Sequence, residues 1–214
     1  MIKEIFDAQF KPHESSGKFS ISSIGACRRK KFMEMKGRYK EEYSEKTKRT
    51  FATGDAFHRL ACAELMSKGD LLGFHVVAAE FPIPEHPFLS GRVDQIIADK
   101  NGELMVVDVK SCSSWVMNKV KSGEVSDAYI NQVQLYLHLL KIKKGYLLFY
   151  SKNNGEVEEY EINYDKELCE RLVDEVKYFM EFYIANDIIP PPCNGGDFGC
   201  LVCFPTTSSS GGKT

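Results

Sequence analysis

Leu89-Ser90-Gly91-Arg92-Val93-Asp94-Gln95-Ile96-Ile97-Ala98-Asp99-Lys100-Asn101-Gly102-Glu103-Leu104-Met105-Val106-Val107-Asp108-Val109-Lys110 is the stretch that decides the fold. Val and Ile crowd both halves, and the residues between Asp99 and Glu103 are turn formers, so the stretch reads as two antiparallel strands. Asp108 and Lys110 are two apart on a strand and leave the same face of the sheet. A three-residue loop Lys100-Asn101-Gly102, with Gly102 left-handed, pairs Asp99 with Glu103 and sets Asp94 opposite Asp108. A two-residue Asn101-Gly102 turn would throw Asp94 to the other face. Loop length thus decides whether two carboxylates and an amine converge. Facing carboxylates repel unless a proton or a cation lies between them, and hard oxygens with open positions suit Mg2+ or Mn2+. Lys110 beside them would orient a water and help take its proton. An Asp-x-Lys triplet alone is common on solvent-facing strands, so the chemistry needs further residues.

Working outward, Phe74 to Phe81 reads as a strand preceding Leu89 to Ala98 and Glu103 to Lys110. Thr50 to Met66 has helical spacing of Phe51, Phe57, Leu60, Ala61 and Leu65, and carries His58. Ser22 and Ser23 are expected to cap a first helix bearing Arg28-Arg29-Lys30-Lys31. Asn131 to Lys141 is a strongly apolar helix with Gln132 and Tyr136 one turn apart on one face. Gly145 to Tyr150 and Val157 to Ile162 form a hairpin around Asn153-Asn154-Gly155. Lys166 to Ile184 is an amphipathic helix with Leu168, Leu172, Val176, Phe179 and Tyr183 inward, and Pro190-Pro191-Pro192 follows it. Thr206 to Thr214 is small and polar and is expected to be a disordered tail. Its Gly212-Lys213-Thr214 is no phosphate loop, because position 207 is Thr where that motif wants Gly.

With 214 residues, 43% of them hydrophobic, the chain suits one domain with a real core. The first residues lack the apolar stretch of a signal peptide and no later run approaches the ~20 residues of a membrane helix, so a cytoplasmic protein without membrane association is expected. A formal charge of -2 excludes a globally basic coat. Between Arg28 and Arg49, however, ten Lys or Arg stand against four Glu. That excess, led by Arg28, Arg29, Lys30 and Lys31, could meet phosphates, although charge alone favours a solvated helix face. Trp115, Tyr129 and Tyr39 are candidates for stacking bases.

Seven cysteines without an export signal point to metal ligation rather than a disulfide framework. Cys200-Leu201-Val202-Cys203 offers two thiols to one centre, Cys193 reaches it across Asn194-Gly195-Gly196-Asp197, and Cys27 closes the set from far upstream. Iron-sulfur and zinc are both open to four thiols. Cys62, Cys112 and Cys169 sit in apolar elements and read as buried small hydrophobes.

The ordered set Gly91-Arg92-Val93-Asp94, Val107-Asp108-Val109-Lys110-Ser111 and Gln132-Val133-Gln134-Leu135-Tyr136 resembles the PD-(D/E)XK nuclease superfamily, and within it the RecB-like branch. The likeness runs from about Ser22 to Cys203. It implies an α/β, restriction-endonuclease-like core with a central mixed β-sheet flanked by helices, and hydrolysis of phosphodiester bonds. Carried over, Asp94 and Asp108 are metal ligands, joined by the Val109 backbone carbonyl. Lys110 is the catalytic lysine, and Gln132 and Tyr136 orient it or the substrate. His58, otherwise an ordinary core histidine, becomes a metal ligand, whereas Glu80 is set aside. The cysteines resemble those of the iron-sulfur nucleases of this branch, the AddB nuclease domain and the CRISPR-associated Cas-four-type exonucleases. The resemblance implies a [4Fe-4S] cluster on Cys27, Cys193, Cys200 and Cys203, with zinc as the rival, although the close pair comes first in those proteins and the wider gap comes first here. One nuclease domain is expected over 1–205, with 22–50 and 186–205 forming the cluster lobe and 51–185 the core. The expected function is a Mn2+- or Mg2+-dependent exonuclease, with possible endonuclease activity, on single-stranded or frayed DNA ends. Its expected settings are recombination, phage or mobile-element DNA processing, or CRISPR spacer acquisition, alongside partner proteins and in an oligomeric state the sequence leaves open. The competing reading is a nuclease-fold adaptor with little turnover.

Overall fold

Side-chain caps start four of the five α-helices among the described residues. In the computed structural model, which describes residues 16–194 and 200–204, helix α1 (Arg28–Met35) is capped by the thiol of Cys27, which accepts from Lys30 N–H. Helix α2 (Glu45–Lys68) starts on Ser44, whose hydroxyl accepts from Thr47 N–H. These side chains replace partners that first-turn amides lack within the helix. The serines expected to cap α1 lie instead at a short 3-10 turn, Ile21–Ser23. Between these helices and the end of the chain come β2 (Phe74–Pro82), β4 (Arg92–Asp99), β5 (Leu104–Cys112), α3 (Ser114–Lys121), α4 (Asp127–Leu140), β6 (Lys144–Ser151), β7 (Val157–Asn163) and α5 (Lys166–Tyr178). Two-residue strands β1 (Phe19–Ser20) and β3 (Leu89–Ser90) pair in parallel beside the main sheet.

The main sheet has the order β2-β4-β5-β6-β7. It is mixed, because β5 and β6 run parallel while the other three pairs are antiparallel. Helices α3 and α4 make the crossover that a parallel pair requires. Alternate residues of β5 and β6 feed two cores. Val106, Leu147 and Phe149 join the larger one with Val133, Leu135 and Leu137 of α4 and Leu172 and Val176 of α5. Met105, Val107 and Val109 face Ala61 of α2 on the other side. The sheet is thus covered by α4 and α5 on one face and by α2 on the other.

Several boundaries differ from the sequence reading, each for a local reason. The strand expected over Leu89 to Ala98 breaks at Gly91, where a Cβ would stand 3.2 Å from the Tyr136 ring and from Ile21. Helix α3 has no counterpart in the sequence reading; Ser113 caps it and Met117 and Val120 bury its inner face. The last helix widens into a π-turn over Phe179–Ile184. Of the apolar stripe on α2 only Ala61 is buried, while Phe51 and Leu60 are 43% and 41% exposed, because this helix covers one part of its face of the sheet. The tail Thr206 to Thr214 and most of the Asn194-to-Asp197 link lie outside the described residues.

Candidate active site

The β4–β5 turn is the three-residue loop: Gly102 has φ 80° and Asp99 N–H donates to Glu103 O at 3.0 Å. Pairing then runs from Ala98↔Leu104 to Gln95↔Val107, so Asp94 and Asp108 are the next residues on facing strands. Backbone pairing gives way at that point. Val109 N–H donates to Asp94 Oδ2 at 2.8 Å, the carboxylate standing in for a strand carbonyl. The same oxygen lies 3.2 Å from His58 Nδ1, which α2 carries in from the opposite side to α4.

Asp108 is buried. Its Oδ1 accepts from Gln132 Nε2 at 3.1 Å, and its Oδ2 lies 2.7 Å from Lys110 Nζ. Oδ2 is thus buried with the ammonium as its ionic partner. Lys110 Nζ donates to Gln132 Oε1 at 3.0 Å, and Gln132 Nε2 also reaches Tyr136 Oη at 3.2 Å. Tyr129, one turn before Gln132 on α4, lies under the ammonium with its ring centroid 4.9 Å away. One helix face therefore supplies the three side chains that hold Lys110 and Asp108. Gln132 satisfies all three polar neighbours because an amide both donates and accepts.

Burial pushes the Asp108 carboxyl up to about 6; the Lys110 ammonium opposes this and the charge of Asp94 adds to it. The hydrogen bond to Asp94 raises His58 above the ordinary imidazole range, against its partial burial. Burial also raises the Tyr136 phenol, which keeps it neutral. Each acid thus has a basic neighbour: His58 for Asp94, Lys110 for Asp108.

The donor set of one imidazole and two carboxylates suits a hard divalent ion. Its spacing is looser than that of a closed site. Among the described residues, only the four cysteines bring three or more ligand atoms within 4.8 Å of one another. Val109, whose carbonyl was expected to complete the site, pairs in register with Leu148 of β6. Asp94 and Asp108 therefore neighbour each other while turned to different partners, Asp94 to α2 and Asp108 to α4.

Glu80, set aside in the sequence reading, lies on the strand beside Asp94. Ala79 pairs with Gln95 and Phe81 with Val93, which sets Glu80 opposite Asp94. Its backbone is left-handed at φ 51°, and its carboxylate lies 2.6 Å from Arg92 Nε. The periodicity of β2 carried no sign of that irregular residue.

The basic run at α1 makes internal contacts. Arg28 pairs with Glu175 at 2.5 Å, Arg29 donates to Pro190 O, Lys30 pairs with Glu41, and Lys31 lies over the Phe19 ring. Trp115 is 63% exposed with Lys119 over its ring, and Tyr39 is half-buried. Cys112 and Cys169 are buried as expected, whereas Cys62 is partly exposed beside Met66. Cys27, Cys193, Cys200 and Cys203 come together from the two ends of the described chain, an arrangement that could hold a metal ion.

This fold recurs in solved structures of low sequence identity. An alkaline exonuclease from Laribacter hongkongensis, LHK-Exo, is 17% identical with a TM-score of 0.64, over 86% of this chain and 93% of its own. The structure of SSO0001 gives 19% and 0.56, over 88% and 93%. A phage-related exonuclease from Haemophilus somnus 129PT gives 14% and 0.50, over 87% and 94%. No family model and no curated protein matches the chain. The chain shares its fold with these structures.

Proposed function

We propose that the chain is a divalent-metal-dependent deoxyribonuclease whose site is formed by Asp94, Asp108 and Lys110, with His58, Gln132 and Tyr136 around them. One observation carries this reading: two acids sit at the parting ends of β4 and β5, and one of them, Asp108, is buried with a lysine ammonium 2.7 Å away. A buried carboxylate is stabilised by a cation beside it. His58, Asp94 and Asp108 would hold Mg2+ or Mn2+, which when bound supplies Lewis acidity toward the scissile phosphate and lowers the pKa of water.

The chain's own groups do the rest. Gln132 holds the Lys110 ammonium against Asp108, where it meets the phosphate and orients the attacking water. Tyr136 fixes the Gln132 amide from below and takes no part in proton transfer. His58 would bind a metal as the neutral imidazole, so metal loading would compete with its protonation.

For the substrate, the fold neighbours support DNA: two of these proteins, LHK-Exo and the phage-related one, are named exonucleases, and a second LHK-Exo structure, at 18% identity and a TM-score of 0.59, is a complex with dAMP. We assign single-stranded or frayed ends, in DNA recombination, phage DNA processing or CRISPR spacer acquisition. The order His58, Asp94, Asp108-x-Lys110, Gln132-x-x-x-Tyr136 supports the RecB-like branch. The test is digestion of end-labelled single strands by the purified chain. Mononucleotide release with Mn2+, abolished by EDTA and by Asp108→Ala, supports the assignment. Equal cleavage by the variant overturns the site, and no cleavage by either protein favours the adaptor reading.

A further inference from the structure

The sulfur atoms of Cys27, Cys193, Cys200 and Cys203 all lie within 4.8 Å of one another. The Cys27 and Cys203 sulfurs are 3.5 Å apart, and neither forms a disulfide. This spacing separates the two sulfur-rich centres that the sequence leaves open. Four thiolates on one ion, each bonded at about 2.3 Å, stand at the corners of a tetrahedron with edges of roughly 3.8 Å. In a [4Fe-4S] cluster each thiolate binds a different iron. The sulfurs are then held apart by the body of the cluster as well as by the bonds to it. A knot of thiols no wider than 4.8 Å does not enclose such a body, so the four cysteines as arranged do not fit the cluster.

We propose that this centre holds a single zinc ion in a four-thiolate tetrahedron. The local backbone is built for it. Cys200 O accepts from Cys203 N–H at 2.9 Å and from Phe204 N–H at 2.7 Å, the tight turn that lets a Cys-x-x-Cys pair grip one ion. Amides also point at the sulfurs, Lys30 N–H to Cys27 Sγ at 3.5 Å and Cys193 N–H to Cys203 Sγ at 3.4 Å, where they orient the ligands and spread thiolate charge. Cys27 moreover caps the N-terminus of α1, whose dipole favours an anion. Soft thiolates select zinc over the hard ions suited to the acidic site. The ion staples α1 to the end of the described chain, joining residues 176 positions apart, independently of whether the acidic site cleaves DNA.

The test is metal and acid-labile sulfide analysis of the full chain, produced in medium containing both iron and zinc and purified without oxygen. One zinc per chain, no acid-labile sulfide and a colourless solution are expected. Asp108→Asn should retain that zinc, placing it away from the acidic site, and Cys203→Ser should lose it. Should Cys203→Ser fail to fold, titration of the wild-type thiols with a mercurial reagent replaces it, zinc being released in step with four thiols. Iron and sulfide in matching amounts overturn the proposal, as does zinc that survives blocking of the thiols.

Discussion

Gln132 does more than its neighbours in this site, because a single amide contacts Asp108, Lys110 and Tyr136. Gln132→Ala should lower kcat by about 10²-fold or more while leaving the KM for DNA nearly unchanged, since on the proposed function the lysine it positions orients the attacking water. Tyr136→Phe removes one buried hydrogen bond and should cost about 1 kcal/mol in denaturant unfolding with most activity retained. Asp108 makes a prediction about pH. Its folded pKa is raised to about 6 by burial, above the unfolded carboxylate near 4, so its contribution favours the folded state at low pH and is lost as pH rises through 6. In metal-free protein Asp108→Asn should therefore raise the Tm relative to wild type at pH 8, with the advantage shrinking by pH 4. At this scale the sequence was legible where spacing alone sets geometry, as with Asp108 and Lys110 two apart, or Gln132 and Tyr136 four apart. It was not legible where the backbone turns irregular: Glu80 meets Arg92 and stands opposite Asp94 through a left-handed residue that no periodicity announces.

Between elements, the register of β4 on β5 is the decisive relation, and a glycine sets it. Gly102 has φ 80° and a Cβ there would meet nothing within 4 Å, so Gly102→Ala carries only the backbone cost, about 1 kcal/mol. Gly145 is the contrasting case. A Cβ at that position would stand 2.9 Å from Val133 and 3.2 Å from Val106 O, wedging α4 off the sheet. Gly145→Ala should cost roughly 1–3 kcal/mol and, by shifting the helix that carries Gln132, lower cleavage as well; urea unfolding and a rate assay on the same preparation check both. Loop length and turn chemistry made the register readable in advance. Helix α3 was not, because its eight residues carry only two buried side chains, too short a pattern to separate from a loop.

Across the whole molecule, two faces of one sheet deliver different parts of the site, His58 on α2 from one and Gln132 on α4 from the other, meeting where β4 and β5 part. Strand and helix order were legible because the hydrophobic period changes between elements. The partners of α1 were not, since its charges read as a solvated face and instead make contacts with Glu175, Pro190 and Glu41, which no local pattern encodes. The central claim is that Asp94 and Asp108 share a hard cation that drives phosphodiester hydrolysis. Its most direct test is the single-turnover cleavage rate of an end-labelled single strand against Mn2+ concentration, for wild type and Asp108→Asn. The account predicts a saturable, Mn2+-dependent rate for wild type and a fall of at least about 10²-fold in the variant. Equal rates, or cleavage that ignores Mn2+, would contradict it.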